Sequence, residues 1–222
     1  MMNPDSPFLS WQLADSAFPT GAFAHSWGLE AAWQHGEIRD VPAVRRFVEA
    51  AVQQTAFGVV PLLNAAYRDS RRWAELDALA DAFLINAVAN RASRQQGRTL
   101  LATAARIWPS SEMALARETA SRLCAHLGPA SGVVFGSVGV PLSTAQQLVL
   151  FGTARGVLSA AVRLGILGSY EAQRLQLECA PLLEACSARS ASLDETDLEQ
   201  VAPIPDLFQA THDRLYSRLF QS

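Results

Sequence analysis

The side chains able to do chemistry in this sequence are few and scattered. Histidines stand at positions 25, 35, 126 and 212, and cysteines at 124, 179 and 186. His25 and His35 are ten residues apart, with Glu30 and Glu37 nearby. A helix turns two ligands towards one ion at i, i+3 or i, i+4, so neither this pair nor His25 with Glu30 has ligand spacing. Each of these histidines therefore reads as structural. His126 falls near the expected C-terminal end of a helix, where a partial positive charge is welcome. The cysteines show no CxxC spacing. Cys179 and Cys186 would share one helix face about 10 Å apart along the axis, too far for a disulfide. They read as small buried apolar residues, and Cys124 with them. No HExxH, GxSxG, EF-hand loop or glycine phosphate loop occurs. All 18 basic residues are arginine, which removes the P-loop lysine and the Schiff-base amine together. The expectation is a protein that is not an enzyme, with no cofactor and no metal ligands.

The elements that must position these residues read as helices. Apolar residues recur at three- and four-residue intervals, and alternating segments are nearly absent. From Val41 to Tyr67 one face is apolar, Asp40 caps the start with Pro42 just inside, and Gly58 and Pro61 bend or divide the run. The pattern resumes from Glu75 to Ala92, and the helical stretch around Gly97 stops before Pro109. Ser110 or Ser111 caps a helix that runs to Gly128. The small residues of 128–141 suit a short helix packed closely against its neighbours. Ser143 caps a helix through Leu164, Gly165 and Gly168 punctuate a turn, and a further helix covers Glu171 to Ala185. Residues 187–205 read as a polar, then proline-rich linker before a last helix from Asp206 to Leu219. The result is an all-α, bundle-like single domain over residues 1–222, with about eight to ten helices and a C-terminal docking tail near 203–222.

Composition agrees with a folded chain. Of 222 residues, 50% are hydrophobic and 18% charged, enough to bury a core without disulfide or metal staples. A formal net charge of −3 argues against nucleic acid, whose phosphates attract basic surfaces. The first residues, MMNPDSPF, have neither the basic nor the apolar part of a leader peptide, and no apolar run is long enough to cross a membrane. A cytoplasmic location is expected.

Two segments stand apart. In LADSAFPTGAFAHSWGLEAA (13–32) Pro19 and Gly21 bracket a turn, three aromatics fall within ten positions, and Ser26 and Gly28 are poor choices inside a helix. The last residues, ATHDRLYSRLFQS, combine Leu215, Leu219 and Phe220 with His212, Tyr216 and Arg218, a mixture that interfaces favour at their energetic centres. Together these segments resemble the two ends of the UreF-type urease accessory proteins, with weaker echoes in RASRQQGRTLL and AAVRLGILGSYEAQRL. Ala22, Phe23 and Ser169 depart from residues common in that family at the matching positions.

The resemblance implies a scaffold that dimerises, joins a UreD/UreH-type accessory protein and recruits a UreG-type GTPase for nickel insertion into apo-urease. It assigns partner binding to Phe23, His25, Ser26, Gly28, Glu30, His212, Tyr216, Arg218, Leu219 and Phe220. It also implies a tail that is loose in the free chain and orders on its partner. The alternative from the residues alone is an all-helical ligand-binding or regulatory protein with no part in metal delivery.

Overall fold

The computed structural model describes residues 7–222. The residues on which the leader-peptide expectation rests lie largely outside it. Among the described residues there are twelve α-helices and no strand: α1 (Pro7–Ala14), α2 (Leu29–Gln34), α3 (Val41–Gly58), α4 (Val60–Arg68), α5 (Trp73–Phe83), α6 (Ala87–Ile107), α7 (Ser111–Ala120), α8 (Leu127–Ser137), α9 (Leu142–Arg163), α10 (Ser169–Glu178), α11 (Ala180–Ser190) and α12 (Pro203–Ala210). No helix among them is long and apolar enough to cross a membrane.

The all-α class holds, and the helix count exceeds the expected eight to ten; the expected division near Gly58 and Pro61 occurs, and two other runs break where none was expected. Asp40 caps α3, accepting from Ala43 N–H at 2.8 Å, and the chain divides at Val59 before Pro61. The run expected from Glu75 to Ala92 stops at Phe83. Asn86 starts α6 by accepting from the Val88 and Ala89 N–H groups, a capping signal visible in the sequence. The run from Glu171 is cut at Cys179, where Pro181 opens a new helix, so Cys179 and Cys186 do not share one. Ser110 caps α7, which ends at Ala120, well before Gly128. His126 consequently sits at the N-terminal boundary of α8 and not at a helix C-terminus. Pro141, not Ser143, precedes α9.

Helix α9 packs against α3, α4, α8, α10 and α11. One apolar cluster joins α3, α9, α10 and α11 around Val48, Val52, Leu158 and Leu175. A second joins α4, α5, α6 and α8 around Leu63, Leu76, Leu101 and Val134. The expected short helix at 128–141 is α8, and its small residues have the anticipated purpose. A Cβ at Gly132 would collide with the Leu63 carbonyl of α4. The linker is pinned, not free. Asn64 donates to the carbonyls of Ser190 and Leu193, and Gln54 accepts from Val201 and Ala202. The final helix is shorter than expected: α12 ends at Ala210, and after a short turn at His212–Arg214 the last residues run without regular secondary structure. These anchors bring the last eleven residues over α2.

Candidate partner-docking site

The N-terminal elbow and the C-terminal segment meet. The chain turns at Gly21 (φ 76°) and again at Trp27 and Gly28 (φ 55° and 87°) before entering α2. Gly28 is required twice. Its backbone lies in the left-handed region, and a Cβ there would come within 2.9 Å of Gln209 on α12.

The tail lies against this elbow. Ser26 donates twice to the Ser222 main-chain oxygen, from N–H at 2.6 Å and from Oγ at 2.8 Å. Gln221 N–H donates to the Ala24 carbonyl at 2.8 Å, and His25 Nδ1 lies 2.6 Å from Ser222 Oγ. Glu30, only 2% exposed, reaches outward from α2. Its Oε1 accepts from Leu219 N–H at 2.7 Å and its Oε2 from Phe220 N–H at 3.1 Å. His212, fully buried, donates from Nε2 to the Phe220 carbonyl at 3.2 Å and places Nδ1 4.0 Å from Glu30. A buried carboxylate that accepts two backbone N–H groups satisfies donors a docked tail would otherwise strand. Burial, with His212 adding to it, pushes the His25 imidazole down to about 4. It is therefore neutral at physiological pH.

Arg163, at the end of α9, completes the junction. Its guanidinium lies 3.8 Å from the Phe23 ring centroid and 4.2 Å from that of Phe220, and it donates to the Phe23 carbonyl. Cation–π contacts of this kind are worth about 0.5–2 kcal/mol each. Arg163 lies in the AAVRLGILGSYEAQRL segment, but nothing in the sequence shows that it meets Phe23 and Phe220.

In this structure the tail is seated on its own chain. The structure also divides the ten residues singled out from the sequence. His25, Ser26, Gly28, Glu30, His212 and Phe220 are buried within the chain and hold the junction together. In this conformation burial leaves them little surface, and His25 Nε2 and His212 Nδ1 are buried without a hydrogen-bond partner among the described residues. Phe23 (69% exposed), Tyr216 (fully exposed), Leu219 (53%) and Arg218 remain outside. Arg218 donates to Asp213 at 3.3 Å, and Asp213 also accepts from Arg91 on α6. Four exposed residues, two of them aromatic and one arginine, therefore stand on a hydrogen-bonded base.

The UreF family model matches residues 38–180, the helical body from before α3 through α10. The chain belongs to the UreF family. Urease accessory protein F of Oryza sativa subsp. indica is 35% identical over 225 residues, covering 99% of this chain and 86% of that protein. The Arabidopsis thaliana protein of the same name is 35% identical over 218 residues, with 96% and 91% covered. Urease accessory protein UreF of Arthrobacter sp. (strain FB24) is 34% identical over 214 residues, with 95% of each covered. Membership places this chain among the urease accessory proteins and not among enzymes. The elbow and the tail flank the region matched by the family model but lie within the near-full-length similarity to these relatives.

Proposed function

We propose that the chain is a cytoplasmic, homodimeric scaffold of urease maturation. It joins a UreD/UreH-type accessory protein to a UreG-type GTPase so that nickel, as cargo, reaches apo-urease. The observation that carries the docking surface is the contrast at the elbow–tail junction. Phe23, Tyr216, Leu219 and Arg218 project from a base whose backbone groups are satisfied internally. Aromatic and arginine side chains presented on a rigid frame lose little freedom on binding and dominate interface energetics. The same junction places the N- and C-terminal segments on one surface, so one partner can contact both.

The test is co-purification of the chain with both partners, followed by urease activation, for Tyr216→Ala and Arg218→Ala. Both side chains are outside the core, so Tm should stay within about 2 °C of the parent while complex yield and activation fall. Normal assembly and activation by both variants would refute the surface. Unfolding by Arg218→Ala would mean that the tail is core structure.

A further inference from the structure

Away from the docking junction, the loop between α7 and α8 collects three ligand-type side chains. Asp81 on α5, Cys124 and His126 each offer one donor atom, and these atoms all lie within 4.8 Å of one another. The loop is firmly held. Asp77 accepts from the N–H groups of Cys124 (2.8 Å), Ala125 (3.1 Å) and His126 (2.7 Å). Ala125 stands at φ 60°, and its carbonyl packs against Gly97, where any Cβ would collide. A non-glycine residue keeps such a conformation only where its surroundings enforce it.

The three donors differ in what already occupies them. Asp81 Oδ1 accepts from Asn90 at 2.9 Å and from Arg94, and lies 3.1 Å from His126 Nε2. Among the described residues Asp81 Oδ2 has no hydrogen-bond partner, and neither has the half-buried Cys124 thiol. His126 is 1% exposed, and its Nδ1 lies 3.1 Å from Ser93 Oγ. That outer contact is of the kind that fixes the orientation of an imidazole bound to a metal through its other nitrogen.

We propose that Asp81, Cys124 and His126 bind a divalent transition ion of the zinc class, with water in the remaining position. The mixed sulfur, nitrogen and oxygen set suits such an ion and not magnesium or calcium, which take oxygen ligands. Bonds of about 2.0 Å to nitrogen or oxygen and about 2.3 Å to sulfur put tetrahedral donors roughly 3.3–3.6 Å apart. Small side-chain rotations close the observed set to that size. Arg94 balances Asp81 before the ion arrives and repels the ion afterwards. The site is accordingly one that loads and releases its ion, not a permanent structural centre. The inference rests on this cluster alone and is independent of the scaffold reading.

The test uses the full chain stripped with a chelator, then titrated with zinc by calorimetry and with cobalt(II) by absorption. One zinc ion per chain is expected, with a thiolate-to-cobalt charge-transfer band in the near ultraviolet. Cys124→Ser should abolish the band, and Asp81→Asn should weaken zinc binding at least about tenfold. Cys186→Ala, at a buried position remote from the loop in sequence, should change neither. Absence of the band in the parent protein would overturn the proposal without reference to any variant. So would zinc binding that is unchanged in Cys124→Ser and Asp81→Asn, both verified as folded by circular dichroism.

Discussion

Glu30→Gln probes the junction with the least change in shape. The native carboxylate accepts from Leu219 N–H at 2.7 Å and from Phe220 N–H at 3.1 Å, in a position only 2% exposed. The amide keeps one acceptor oxygen and turns an NH2 donor towards the other backbone donor. One charge-assisted hydrogen bond becomes neutral, and one buried N–H loses its acceptor. Hydrogen bonds to charged groups contribute about 1.5–3 kcal/mol, and a stranded buried donor costs about 1–3 kcal/mol, so docking of the tail should weaken by roughly 2–4 kcal/mol. The other tethers, from Ser26, Ala24 and Arg163, remain. The effect should therefore be local opening and not global unfolding. At tenfold per 1.4 kcal/mol, hydrogen exchange at the Leu219 and Phe220 amides should accelerate roughly 30- to 1000-fold, while core amides of α9 change far less. Limited proteolysis should cut the tail first. Unchanged exchange at these two amides would refute the assignment of Glu30 as the clamp. A fall in α9 protection that matched the tail's would refute the separation of tail docking from global stability.

Two further outcomes follow from the same geometry. Gly28→Ala must place a side chain at φ 87° and within 2.9 Å of Gln209, so urea denaturation should show a loss of roughly 2–3 kcal/mol; a loss under about 0.5 kcal/mol would contradict the required approach of α12. His25 has its pKa lowered from 6.5 to about 4, so between those values the unfolded chain binds a proton that the folded chain does not. Its contribution is complete above about pH 6.5 and declines by about 1.4 kcal/mol per pH unit towards pH 4, roughly 3 kcal/mol in all. His126, also held low by burial, adds a slope of the same sign. The His25 share is therefore the difference between the parent and His25→Gln in denaturant midpoints across that range, and equal slopes would refute it.

The all-α class, the apolar helix faces and several caps were legible in the sequence, whereas helix ends such as Phe83, Ala120, Cys179 and Ala210 were not. Asp40, Ser110 and the apolar rhythm of Val44, Phe47, Val48 and Ala51 act within one or two turns, so their consequences are legible without knowing what lies opposite. Asn86 and Pro181 carried boundary signals of the same local kind. The oddity of Ser26 and Gly28 was legible too, but not its cause, because Gln209 and Ser222 approach them only in the folded chain. Periodicity states which face of a helix is buried and is silent about which other face it meets. Tertiary structure therefore decided that Glu30 receives the amides of residues 189 and 190 positions away, and that Arg163 meets Phe23 across 140. It decided likewise that His126 joins Asp81 across 45 positions, a distance that ligand-spacing rules for a single helix cannot register. Burial divided the remaining residues, since His25, Glu30 and His212 lie beneath the tail whereas Tyr216 and Arg218 stand on its outer side.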